Sequence, residues 1–149
     1  MSEANKEIVG KIQAAWNSDA TDELDQYFAP NFLAHSNVPG MPPGLAGAKA
    51  AHGFVSQFLA DRNVEVIEMI AEGDKVFLRY RASGTNTKGV PWIGADANDQ
   101  PYDFESWSVY TIRDGKVVEH IGLNDVWLFA IQAGAVKRPA MPPASAAPA

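Results

Sequence analysis

Two side chains carry the chemical interest of this sequence, Asp125 and His35. Asp125 closes the stretch Arg113-Asp114-Gly115-Lys116-Val117-Val118-Glu119-His120-Ile121-Gly122-Leu123-Asn124-Asp125. Asp-Gly between apolar runs is a hairpin signal, because glycine accepts the positive φ of a tight turn. Side chains then alternate faces along the strand that follows. Strict alternation puts Val117, Glu119, Ile121, Leu123, Asp125 and Trp127 on one face, and Val118, His120, Gly122, Asn124 and Val126 on the other. The first reads as the core face. A carboxylate there, away from bulk water, must find a partner or change its protonation. That prepares an acid/base group for work near neutral pH. A plainer reading competes: Asp125 caps the short helix expected over residues 127–133, since Asp is a preferred N-cap.

His35 lies on a short strand-like run, residues 31–36, ahead of the Pro/Gly loop 37–44. If its imidazole faces Asp125 across a cavity, the two share proton transfers. A lone histidine on such a strand otherwise plays a structural part. The hairpin loop decides the neighbours. A two-residue loop pairs Arg113 with Lys116 and puts Phe104 and Ser106 beside Asp125. A three-residue loop with Gly115 bulged sets Glu105 and Trp107 opposite Asp125 and Leu123. The bulged form is favoured, because it leaves Trp107 and Val109 on the apolar face. Tyr80, Trp92, Glu105, Trp107 and Leu123 are then the expected pocket residues, with Asp125 and His35 as the catalytic pair. His52 is expected to be exposed and His120 to point away from Asp125. One of Arg79 and Arg81 is expected to pair with a neighbouring carboxylate.

The elements that must position these groups follow from periodicity. Residues 3–17 read as a helix, with Ile8, Ile12, Ala15 and Trp16 in one stripe. Thr21 looks like the N-cap of a short second helix that buries Leu24, Tyr27 and Phe28. Residues 45–60 form a third, with Phe54, Val55, Phe58 and Leu59 on its apolar face. Strands are expected over 64–71, 75–83 and 102–112, ahead of the Asp-Gly turn. The irregular segment 84–100, which holds Trp92, is long enough to act as a rim or lid. Helices followed by antiparallel strands argue for an α+β domain over residues 3–135, a cone-shaped curved sheet with helical cover and a pocket at its open end. The Pro/Ala-rich stretch 138–149 reads as a mobile tail.

Bulk properties exclude several classes. Net charge is −6 over 149 residues, with no basic run, which argues against nucleic acid and anionic membrane surfaces. The absence of cysteine removes thiolate nucleophiles and thiolate metal sites. Three scattered histidines give no metal motif. No segment reads as a signal peptide or bilayer span, so the expected setting is cytoplasmic.

Several short runs, in order, carry a resemblance. They are His35-Ser36 with Pro39-Gly40-Met41-Pro42-Pro43-Gly44-Leu45-Ala46-Gly47, then Ala71-Glu72-Gly73-Asp74-Lys75-Val76, then Arg79 leading to Gly84-Thr85, and finally residues 113–120 with Asp125. In this order and spacing the chain resembles the SnoaL-like polyketide cyclases of the nuclear transport factor 2-like superfamily, over residues 24–135. The resemblance implies an α+β cone with a hydrophobic pocket, usually a homodimer through the sheet. It also implies an aspartate near the end of the last long strand as acid/base in an intramolecular aldol closure, with no metal or organic cofactor. Asp125 matches that aspartate and His35 the recurrent pocket-side histidine. Asn86 stands where members often have histidine after Gly-Thr, and Ile121 where they often have an aromatic residue; both changes are expected to reshape a pocket. The expected function is acid/base chemistry on a small apolar carbonyl compound, cyclase-like or an isomerase or hydrolase variant. The alternative is a non-catalytic domain that binds an apolar ligand.

Overall fold

The Asp114-Gly115 turn is the two-residue kind: both residues have positive φ, 50° and 73°, and Arg113 pairs with Lys116. The computed structural model describes residues 2–35 and 40–143. The strands that meet at this turn are β4, Pro101–Arg113, and β5, Lys116–Asn124. Their register shifts soon after the turn: Ile112 faces Val117, but Thr111 faces Glu119, so Val118 is an extra residue. The neighbours expected of a bulged turn therefore arise by another route. Trp107 lies opposite Leu123, and the Asp125 amide donates to the Glu105 carbonyl at 3.3 Å.

One extra residue reverses the facing of everything beyond it. Val117, before the bulge, is fully buried. Past it, Ile121, Leu123 and Trp127 turn outward, with Leu123 68% exposed. Strict alternation had put these on the core face, and the bulge overturns that expectation.

Five strands form one curved sheet in the order β1-β5-β4-β3-β2. Here β1 is Phe28–Ala34, β2 Asn63–Glu72 and β3 Lys75–Thr85. The sheet is mixed rather than all antiparallel, because β1 joins β5 in parallel. Helix α1, Ser2–Asn17, lays Val9 and Ile12 on the concave face against Val76, Leu78 and Tyr110. Instead of a second α-helix, Thr21–Gln26 is a 3-10 segment, and Phe28 belongs to β1. Helix α2, Gly44–Phe58, packs over β1, and α3, Val126–Gln132, closes the far end against β4. Residues 138–143 are exposed and carry no helix or strand, and 144–149 lie outside the described residues, as do 36–39 of the Pro/Gly loop.

Buried apolar side chains form two clusters. One gathers Val9, Ile12, Leu24, Phe28, Val76 and Val117 under α1. The other gathers Leu59, Val90, Ala95, Tyr102, Phe129 and Ala133 under α3. The long 84–100 segment is stapled to the second by Asn86, which is fully buried. Its side-chain amide donates to the carbonyls of Asp96 at 2.8 Å and Ala133 at 3.0 Å, and its side-chain oxygen accepts from the Gly89 amide at 2.9 Å. Asn86 thus anchors a loop rather than reshaping a pocket. Ile121 is on the outer face, 49% exposed.

Removing this buried side chain leaves the Asp96 carbonyl and the Gly89 amide unpaired, while the Ala133 carbonyl keeps the Asn98 amide at 2.9 Å. Asn86→Ala is expected to cost about 2–4 kcal/mol of unfolding free energy, read from the midpoint shift in urea denaturation. A loss below about 0.5 kcal/mol would contradict the staple.

Candidate functional site

Between the two clusters the concave face is hollow. Three adjoining cavities, of about 200, 220 and 180 Å³, share Arg62 and Val64 in their walls. The first lies against Gln13, Phe28, Tyr80, Ser108, Tyr110 and His120. The second reaches outward past Trp16, Asp19 and His52. The third is the most apolar, with Val55, Trp92, Phe104 and Phe129 in its wall and Ser106 and Asn124 at one side. The bulge explains the polar residues here: beyond Val118 the inward side of β5 is His120, Gly122 and Asn124.

Local structure aims the charged groups. After α1 the chain breaks at Asp19, in the left-handed region at φ 56°, which Asp tolerates better than most residues. That break brings the Asp19 carboxylate to α2, where the His52 imidazole meets it, Nε2 to Oδ1 at 2.7 Å. His52 also packs on Trp16, ring centroids 4.9 Å apart. Its side chain is only 11% exposed, so the expectation of an exposed residue is overturned. Arg62, whose amide donates to the Leu59 carbonyl in the turn after α2, directs Nη2 at His52 Nδ1 at 3.3 Å. An arginine only donates, so Nδ1 must accept and Nε2 carries the proton toward Asp19. The neighbours thus select the neutral tautomer.

Arg62 has no carboxylate within ion-pair distance among the described residues. The strand arginines contrast with it. Arg79 pairs with Glu68 at 3.0 Å and Glu105 at 3.4 Å, and Arg81 forks onto Asp103. The arginine on Asp103 holds that carboxyl below its usual range. Deeper in the hollow His120 packs on Tyr110, centroids 4.6 Å apart. Burial, and secondarily the nearby His35, push the His120 pKa down to about 4. Burial raises that of Tyr110, whose hydroxyl accepts from Gln13 at 3.0 Å.

The residues singled out from sequence separate into three places. Tyr80 and Trp92 line the concave hollow. Asp125, Glu105, Trp107 and Leu123 gather around an open depression of about 400 Å³ that Arg62 does not line and that shares only Asn124 with the third cavity. Asp125 is exposed and caps α3, accepting from the Leu128 amide at 3.0 Å. The expected desolvated placement among Ile121, Leu123 and Trp127 is overturned, because the bulge carries that face outward. His35 pairs with Glu119, Nε2 to Oε1 at 2.7 Å, beside the middle of β5. Six residues of strand from Glu119 to Asp125 span about 20 Å, so the two do not converge. Sequence reasoning missed Arg62, His52 and Asp19. The available signal was faint: a lone arginine at the helix-to-strand turn after the apolar α2.

Among the described residues no helix is long and apolar enough to cross a membrane, and no group of three or more histidine, aspartate and glutamate residues is placed to hold a metal ion.

Residues 6–132 match the family model described as SnoaL-like polyketide cyclase. Solved structures share the fold. TsrD from Streptomyces laurentii is 22% identical, covering 90% of this chain and 97% of that one, with a TM-score of 0.78. IdmH from Streptomyces antibioticus is 24% identical over 87% and 98% of the two chains, TM-score 0.76. A SnoaL-like polyketide cyclase from Agrobacterium tumefaciens is 17% identical over 86% and 96%, TM-score 0.72. No curated protein matches the chain. Identities this low show the fold alone.

The partly buried His120 makes a pH prediction. Its pKa falls from 6.5 to about 4 on folding, so the unfolded chain binds the proton more tightly. The resulting stability is complete above pH 6.5 and is lost as pH falls from there toward 4. The loss amounts to roughly 3 kcal/mol in total. Urea melts across that window are expected to show it, with the slope reduced in His120→Gln. Equal slopes in the two proteins would contradict a buried neutral imidazole.

Proposed function

Because the chain belongs to the SnoaL-like polyketide cyclase family, we propose that it is an acid/base enzyme acting on an apolar carbonyl compound held in the concave hollow. The observation that carries this reading is the Asp19–His52 pair opening on the same cavities as Arg62. Asp19 fixes the imidazole so that Nδ1 is the atom with a lone pair, as an orienting carboxylate does in a catalytic dyad. Nδ1 accepts a proton from the carbon beside a carbonyl. The C–H electron pair becomes the enolate, whose oxygen lies within a wall that offers the Tyr80 and Ser108 hydroxyls. Neither hydroxyl is hydrogen-bonded to a described residue, and preorganised donors of this kind stabilise developing charge. In a cyclisation the enolate carbon bonds to a second carbonyl carbon, and the new alkoxide takes the proton back from the imidazolium. Atoms and charge balance with no redox step. Trp92, Phe104 and Phe129 would hold the apolar body of the substrate.

The same reading takes the outer face of the sheet as a homodimer surface. Leu33, Ile70, Trp107, Ile121 and Leu123 are all exposed there, and Trp127 of α3 is exposed as well. A patch of that extent is uncommon on a monomer, and a two-fold pairing covers it on both copies. The depression beside Asp125 lies on this face, which places it at the edge of the pairing.

Proton transfer is testable without the natural substrate. Deuterium exchange into 4-phenylbutan-2-one in D2O, followed by NMR, is expected to exceed the buffer rate. His52→Gln should cut the excess by about 10²- to 10⁴-fold, while Asp125→Asn, which keeps a helix cap, leaves it unchanged. The opposite ranking of the two variants would move the chemistry to Asp125. For the surface, sedimentation velocity at micromolar concentration is expected to show a dimer that Leu123→Glu converts to monomer; a monomeric parent protein would refute the pairing.

A further inference from the structure

Resting on the concave hollow as the ligand site, we infer that the ligand carries a carboxylate and that Arg62 receives it. Arg62 is the one lining group of permanent charge shared by all three cavities. The other ionisable groups do not answer its charge. His120 is neutral near pH 7, its pKa held at about 4, and the Asp19 carboxylate sits on the far nitrogen of His52, beyond ion-pair distance of Arg62. A half-buried cation against Val64, Tyr80 and Trp16 is costly without a counter-ion. The chain does not lack acids, with 18 Asp and Glu against 12 Lys and Arg, and it supplies them to Arg79, Arg81 and Arg113. Among the described residues none reaches ion-pair distance of Arg62, although Asp61 precedes it in the chain and Asp19 shares the second cavity with it.

The geometry selects the anion. The guanidinium fork matches a carboxylate's two oxygens, and a single arginine with neutral hydroxyls beside it suits one negative charge better than a phosphate dianion. Arg62 Nη2 is committed only to His52 Nδ1, at a long 3.3 Å. A ligand carboxylate offers a stronger, charge-assisted acceptor. The cavity beyond Arg62, walled by Trp92, Phe104 and Phe129, leaves room for the ligand's apolar body. Capture has a chemical consequence: when the fork turns to the ligand, Nδ1 of His52 loses its donor and is free to accept a proton.

The experiment compares 3-phenylpropionate with 4-phenylbutan-2-one by isothermal titration calorimetry at low salt. The two share the phenylethyl body and differ in whether the head is charged. The carboxylate is expected to bind at least about tenfold more tightly, with the advantage shrinking as salt is added. In Arg62→Gln the two should bind alike, and Arg62→Lys should restore part of the preference. Ketone binding that equals or exceeds carboxylate binding would overturn this inference and leave the proposed function standing. So would a carboxylate preference that survives Arg62→Gln. If neither compound binds the parent protein, both the inference and the reading beneath it fall.

Discussion

One wall of the site depends on a single inserted residue in a ladder of backbone hydrogen bonds. Val118 has no partner of its own between the Ile112–Val117 and Thr111–Glu119 pairs. A strand has a side-chain period of two, so a single extra residue exchanges its faces. Before the bulge Val117 fills the core; after it His120, Gly122 and Asn124 turn inward. The hollow therefore has small and polar residues in one wall, and the apolar Ile121 and Leu123 are delivered to the opposite surface.

The hollow lies between two apolar clusters, and that arrangement divides the labour of the chain. The cluster under α1 and the cluster under α3 supply buried area at the two ends. The space between them is left to groups that a packed core would exclude: a neutral, partly buried histidine, and an arginine and hydroxyls that find, respectively, no carboxylate and no hydrogen-bond partner among the described residues. Groups of that kind reduce stability unless something occupies the space, which is the usual relation between a binding site and the fold that carries it. The 84–100 segment contributes to the same wall, and its placement rests on the buried amide of Asn86. Trp92, carried by that segment, packs on Phe54 and Phe58 of α2, which joins rim to helix.

The charged relay at the mouth shows how distant parts of the chain are brought into one unit. Asp19 lies in the turn after α1, His52 sits within α2, and Arg62 immediately precedes β2. Each is unremarkable by itself. Together they fix a tautomer, because an arginine and a carboxylate on the two ring nitrogens leave only one arrangement of protons. A surface histidine pair such as His35–Glu119 has the same short distance but looks out on solvent.

The sequence by itself determined the class of fold, the turn residues and most element positions. Periodicity in α1 and α2, the Gly73 and Gly115 turns and the strand composition all pointed one way, and local signals of that kind survive folding. It also contained both readings of Asp125, the buried acid and the helix cap, and the structure makes it a cap. Only the tertiary structure decided the facing of β5, since a bulge leaves no mark on the pattern of residue types around Val118. Only it could bring Asp19, His52 and Arg62 together, because their meeting is set by how α1 and α2 lie across the sheet. Strand alternation is a local property; which side is hollow is a property of the whole packing.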